Sequence, residues 1–466
     1  MLFNSLTFVV FAIIFFGIFQ LVWKRVKGRL IWLCIASFFF YGWWDWRFLF
    51  LIIFSGLVDY FAALEMEKHP GRKKLFLILS VFANVASLSV FKYSGFIAEN
   101  IDRLFNLTGN LSVSAHIPEF FLVTPVGISF YTFQSMSYTI DVYRKEVKPT
   151  RNIIQFFAYL SMFPQLVAGP IVRAKNMLPQ LLKIPSVSNA EKWLGFQLIV
   201  HGYFKKMVIA DNLAPYVVKA FSSPDLNSSS VYWWGVMITF AFQIYCDFAG
   251  YSDIARGLAK WMGYDFPDNF RHPYISTSFR EFWTRWHISL STWFRDYLYV
   301  PLGGNRKGKV KSHVFLWITM LISGLWHGAA WTFVVWGAIH AFFVSAERFI
   351  HWPKSLKETI AFKFFAWLTV SVLVLLAWVF FRADNFNQAI EIIQIMFAFK
   401  GPFNLDWGLN ISFFLAIIIL RELQVAWRLE IDWTKRPAAS MVFYALLIVM
   451  IIFLRGKGSE FIYFQF

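Results

Sequence analysis

Apolar stretches close to the roughly 20 residues needed to cross a hydrocarbon core recur about every 30 to 40 positions along the chain. That spacing predicts on the order of a dozen crossings, about 11–13 spans, in an all-α, polytopic transmembrane helical bundle, because a spanning helix satisfies its backbone polar groups internally. Of the 466 residues, 58% are hydrophobic and 21% aromatic, a composition that a soluble domain of this length would not solvate. Residues 1–466 are therefore read as a single integral membrane domain.

Lysine and arginine outnumber aspartate and glutamate by 44 to 27, a formal charge of +17. The cations fall in short loops between apolar runs, where the positive-inside bias puts them, so topology accounts for the charge and nucleic acid is not expected as a partner. On that basis Lys24, Arg25, Lys27 and Arg29 are cytoplasmic, as are Lys68, Arg72, Lys73 and Lys74, and then Arg144, Lys145 and Lys148. A polar loop with Asn106, Asn110 and Ser112 lies outside. The first apolar run, about Leu6 to Trp23, has no basic stretch before it and reads as a retained helix rather than a cleaved signal. Cys34 and Cys246 lie in apolar runs, which excludes a disulfide framework or a cysteine metal site. No metal and no tightly bound cofactor is expected.

Two stretches depart from simple spans. Pro164, Gly169 and Pro170 break Ile153 to Ile171, which predicts a re-entrant or broken helix buried in protein. Residues 250–311 contain no convincing span and many cations, and are read as a cytoplasmic interfacial helical region. Residues 455–466 form an aromatic tail, placed outside after a last span from Ala439 to Leu454.

Three constellations carry chemistry. Ser278 and Glu281 have capping-box spacing, and Trp286, Leu290, Trp293 and Tyr297 then recur on one helical face with Arg280, Arg285 and Arg295 off it. This predicts one amphipathic helix along the membrane surface, with His287, Trp283 and Ser291 on a side between its faces. The second is Ser323-Gly324-Leu325-Trp326-His327-Gly328 within an apolar span. An ionisable residue at that depth is costly, and Gly324 and Gly328 would let another backbone or a thin substrate approach closely. A neutral His327 is either a packed structural histidine or a general base. The third is Asp247 with Tyr251 one turn later, polar groups that either fix helix packing or act directly. Motifs of metalloproteases, P-loop ATPases, dinucleotide-binding folds and serine hydrolases are absent from the sequence.

The run Asn269-Phe270-Arg271-His272-Pro273-Tyr274-Ile275-Ser276, then Glu281-Phe282-Trp283, Arg285-Trp286-His287-Ile288-Ser289-Leu290-Ser291 and Arg295-Asp296-Tyr297-Leu298-Tyr299-Val300-Pro301-Leu302-Gly303-Gly304-Asn305-Arg306 resembles the membrane-bound O-acyltransferase family, alginate O-acetylase branch. Trp326-His327-Gly328 is similar to its catalytic histidine motif, and the stretches Pro164 to Ile171 and Pro125 to Phe130 resemble others that the family shares.

The resemblance implies a helical bundle around a central funnel in a bacterial inner membrane, with His327 as catalytic base near the narrowest point. His287 would position groups or bind the donor, and Trp326, Trp283, Asp247, Tyr251 and Ser291 would support the funnel. The donor would be acetyl-CoA on the cytoplasmic side, its phosphates met by Arg285, Arg295 and Arg306 with Lys307, Lys309 and Lys311. The acceptor would be an extracellular polysaccharide such as alginate, reached through a periplasmic acetyltransferase partner. The final residues Glu460 to Phe466 resemble a tail that carries the acyl group as a tyrosyl ester, here on Tyr463. Peptidoglycan, cellulose or teichoic acid are alternative acceptors, the last with a carrier-protein donor. A lipid acyltransferase of the same superfamily, and a transporter or channel, are the rival readings from other classes.

Overall fold

The computed structural model describes residues 1–223, 227–350, 353–402, 409–429, 436–459 and 461–462, which are helices and connecting turns without a strand. They form two compact units, Met1–Phe196 with Ala255–Pro267, and Gln197–Ile254 with Asp268–Phe466.

In the first unit the helix Leu6–Val22 buries Phe8, Phe11, Phe15 and Phe19, spaced three or four apart on one face, against Phe40 and Phe163. Among the described residues three helical stretches are long and apolar enough to cross a membrane: Val26–Lys68, Pro70–Phe91 and Ile360–Arg382. The 43-residue stretch Val26–Lys68 is two helices, Val26–Asp45 and Leu49–Lys68, since Asp45 accepts from Arg47 N and starts a short turn at Trp46–Phe48. Leu6–Val22 and Pro437–Phe453 are shorter apolar helices.

The broken segment is as expected. Helix Ile153–Leu160 ends before Ser161-Met162, a four-residue helix Phe163–Leu166 follows, and residues 155–172 are buried throughout. Its loose backbone groups are met by side chains: Ser37 Oγ accepts from Phe163 N at 3.0 Å, and Gln134 and Gln165 donate to the Tyr159 carbonyl at 2.8 and 2.7 Å. Arg29, expected at the cytoplasmic surface, is instead fully buried, donating to the carbonyls of Trp23, Leu181 and Lys183 at 2.5, 2.9 and 2.7 Å. A guanidinium with five donors suits the unpaired carbonyls at the ends of two helices.

Helix Asn189–Tyr203 begins in the first unit and leads, in the second, through a π-helical turn, Phe204–Ala210, into Asp211–Ser222. Helix Ser230–Trp261 runs 32 residues and so overlaps residues 250–311, the stretch read as helical without a convincing span. Tyr251, Ile254, Ala255, Leu258 and Ala259 are all buried, a 3.6-residue rhythm that carries the helix through the charged stretch. Lys309–His327 and Trp331–Phe349 then pair as an antiparallel hairpin.

Candidate active site

His327 ends its helix and is 3% exposed. Three aromatic rings enclose it, Trp326 and Trp336 each at 5.0 Å between centroids and Phe381 at 5.3 Å, all steeply inclined to the imidazole. The flanking glycines serve the hairpin. A Cβ on Gly324 would lie 2.2 Å from the Phe333 carbonyl oxygen, and one on Gly328 would lie 2.1 Å from the Phe333 ring. The close approach inferred from sequence is therefore that of the neighbouring helix.

The single amphipathic helix expected around His287 is not formed. Ser278 does cap, its Oγ accepting from Glu281 N at 3.0 Å, but Glu281 bonds Thr277 rather than closing the box on Ser278. Helix Phe279–Arg285 stops, His287 adopts a left-handed backbone (φ 43°), and Ile288–Phe294 starts anew. The break arises because Asn269 captures the chain: its carbonyl accepts from Ile288 N at 2.9 Å, its side chain from Ser289 Oγ at 2.9 Å, while Arg271 N donates to the Arg285 carbonyl. Ser291 Oγ donates to the Trp286 carbonyl at 3.2 Å and so finishes the turn. The result is a fully buried His287, 4.5 Å from Phe248 and 6.4 Å from His327 between ring centroids. Trp326 lies against both histidines.

Asp247 is held in a buried ion triad. Lys206 Nζ lies 2.8 Å from Asp247 Oδ1 and 2.8 Å from Asp211 Oδ1. The triad grips the tail within the second unit. Lys206 donates to the Ser459 carbonyl at 3.1 Å, Ser459 Oγ to Asp211 at 2.6 Å, and Ile462 N to Asp247 at 2.8 Å. Phe461 and Ile462 are buried, and Phe461 packs on Tyr251 and Phe248 at 5.2 and 5.8 Å. Phe248 also touches His287, so tail and histidine pair share one aromatic wall. Tyr463 lies outside the described residues.

A sequence model described as MBOAT, membrane-bound O-acyltransferase family, matches residues 121–387, which include both histidines. The chain is 38% identical over 418 residues to a probable alginate O-acetylase of Pseudomonas putida, covering 88% of this chain and 82% of that protein. The chain belongs to the membrane-bound O-acyltransferase family. It is also similar to a peptidoglycan O-acetyltransferase of Helicobacter pylori, 35% identical over 435 residues, 86% of this chain and 80% of that one. A teichoic acid D-alanyltransferase of Streptococcus thermophilus is 31% identical over 231 residues, 47% of this chain and 55% of that one. The protein is thus a membrane protein and an O-acyltransferase.

Two parts of this acyltransferase site escaped the sequence reading. Lys206 was not singled out, although a cation in an apolar run is itself a signal of pairing. His340, four residues after Trp336 on the hairpin's second helix, is fully buried and lies 4.7 Å from Trp336 and 5.0 Å from Trp283 between ring centroids. The rule that marked His327, an ionisable residue in an apolar helix, would have marked His340 too.

The three arginines expected to meet the donor's phosphates have protein partners or face solvent. Arg285 is bonded to Glu281 at 3.0 Å and to the Arg271 carbonyl at 3.0 Å. Arg295 pairs with Asp296 at 2.7 Å. Arg306 is exposed on the loop of Gly303, Gly304 and Gly308, whose φ values of 132°, 53° and 90° suit glycine. That loop starts the helix Lys309–His327, so its cations lie about 27 Å from His327, the length of a helix of that size.

Proposed function

We propose that this acyltransferase takes acetyl from a cytoplasmic thioester, acetyl-CoA, and delivers it across the bacterial inner membrane, which it spans many times, for O-acetylation of an extracellular polysaccharide such as alginate through a periplasmic acetyltransferase partner. The observation that carries the reading is the continuity of the His287–His327 pair with the tail through Phe248. Neutral His327 accepts the proton of an attacking hydroxyl, the hydroxyl oxygen bonds to the thioester carbonyl carbon, and the carbon–sulfur bond breaks with the proton passing to the thiolate. His287, beside the same indole, orients the groups that react and steadies the developing oxyanion.

The hydroxyl is that of Tyr463, the residue after Ile462, whose backbone N–H is fixed by Asp247. The tyrosyl ester so formed then passes its acetyl to the partner. A peptidoglycan acceptor is the second reading, favoured by the Helicobacter pylori relative.

The test uses wild type, His327→Ala and Tyr463→Phe purified in detergent with acetyl-labelled coenzyme A. Thioester cleavage and label on the protein are expected in wild type, both lost without His327, and label alone lost without Tyr463. Undiminished turnover in His327→Ala would overturn the catalytic assignment, and cleavage with no protein label in wild type would replace the relay by direct transfer.

A further inference from the structure

Buried polar side chains are hydrogen-bonded with few exceptions, and a native exception marks a strained group or the place of an occupant. Three exceptions fall together beside His327. The Nε1 atoms of Trp283 and Trp336 and both ring nitrogens of His340 are sealed from solvent and have no hydrogen-bond partner among the described residues. Their rings form a triangle: Trp283 and Trp336 lie 5.7 Å apart, and His340 is 5.0 and 4.7 Å from them. Trp336 is in turn 5.0 Å from His327.

The hydrogen-bonding capacity of the triangle is specific. Each indole offers one N–H donor, and a neutral imidazole offers one donor and one acceptor. A thioester carbonyl or an ester has acceptors only and would leave the imidazole acceptor unmet. A secondary amide accepts from two of the three donors through the lone pairs of its carbonyl and meets the imidazole acceptor with its N–H.

We infer that His340, with Trp283 and Trp336, forms a binding site for a secondary amide of the acyl donor. This rests on the proposed thioester donor. Coenzyme A and phosphopantetheine carriers both hold the acyl group on an arm whose nearer amide is joined to sulfur by a short ethylene link. An amide one indole away from His327 suits that nearer amide. His340 is then a binding residue that holds the donor in register with the base, and it takes no proton in the reaction.

The experiment compares kcat/KM for two truncated donors, S-acetyl-N-acetylcysteamine, which keeps the nearer amide, and S-butyl thioacetate, which has only methylene and methyl groups in its place. Wild type is expected to prefer the amide donor by tenfold or more. His340→Phe, which keeps the aromatic volume, is expected to lose that preference through a raised KM for the amide donor. His340→Gln, which supplies both a donor and an acceptor, is expected to keep part of it. Trp336→Phe removes a single N–H and provides an independent reading should His340→Phe fail to fold, again with the preference reduced. A wild-type enzyme without preference, or variants that keep it in full, would overturn the inference and leave the triangle as rings whose N–H groups point at aromatic faces. If wild type consumes acetyl-CoA but shows no preference, only the amide site fails. If it consumes no thioester at all, the proposed function fails and the amide site falls with it.

Discussion

Lys206 meets Asp247 at 2.8 Å because Gly202 and Gly250, one helical turn away from each, bring their two helices into backbone contact. A Cβ on Gly250 would lie 2.7 Å from the Gly202 carbonyl oxygen, and one on Gly202 would lie 2.6 Å from that of Gly250. The π-helical turn Phe204–Ala210 shifts Lys206 so that one ammonium reaches both Asp247 and Asp211. The tail is bound to the atoms that this contact assembles.

Removing the cation should cost the most. Lys206→Met leaves two buried carboxylates facing each other, and breaking a buried pair in this way costs about 3–5 kcal/mol. Thermal unfolding in detergent should show this as a large drop in Tm, with residues 455–462 newly open to protease. Replacing Lys206 and Asp247 together by Met and Leu should restore part of the stability but not the tail's protection, since Ile462 N loses its acceptor either way.

The glycine contact should be as sensitive as the charges. Gly250→Val pushes backbone against backbone, and overpacking of that kind costs about 1–3 kcal/mol. The variant should also lose acetyl transfer, because separated helices no longer hold the triad. Gly17→Ala, with open space around the added methyl, is the matched control and should leave Tm and transfer unchanged.

His287 has a backbone role and a ring role that substitutions separate. Asn tolerates the left-handed conformation, so His287→Asn should fold normally, whereas a β-branched Val is strained there. With the ring gone, transfer in His287→Asn should fall by about 10²–10³-fold while detergent Tm stays near that of wild type. Normal transfer in His287→Asn would confine His287 to structure.

At the hairpin, Gly328→Ala places a methyl where the Phe333 ring lies and should lower stability by about 1–3 kcal/mol. Phe333→Leu in the same chain frees that volume and should recover stability and activity together. Failure of the second substitution to rescue would mean that the Phe333 ring is not what limits a side chain at position 328.

Outside the spans, Asp102 ties a polar loop, accepting from Ser112 Oγ, Val113 N and Ser114 N at 2.7, 2.6 and 3.0 Å. Hydrogen bonds from the Ser114 side chain above all, then from Ser112 and the backbone, outweigh burial and hold its carboxyl well below the ordinary carboxylate range. A depressed carboxylate stabilises the folded state above its unfolded pKa of about 3.9 and loses that contribution as pH falls through its folded value. The loop should therefore resist protease unchanged from pH 7 to about 5 and loosen only below about 4, and Asp102→Asn should loosen it already at pH 7.

The sequence by itself determined the all-helical membrane bundle, the break at Pro164 to Pro170 and His327 as the residue to watch, because each follows from local properties: apolar run length, proline geometry, and the cost of an ionisable group in an apolar helix. It also held the signature that places the chain among the O-acyltransferases. Only the tertiary structure decided that His287 leaves its helix, since the hydrogen bonds that draw it out come from Asn269 and Arg271, 18 and 16 positions earlier. The same is true of the tail and its triad: Lys206, Asp247 and Ile462 are far apart in the chain, and helical periodicity contains no term for a pairing between distant helices. His340 lies between the two cases. Its cost was legible in the sequence, but its meaning required Trp283 and Trp336 to be seen around it.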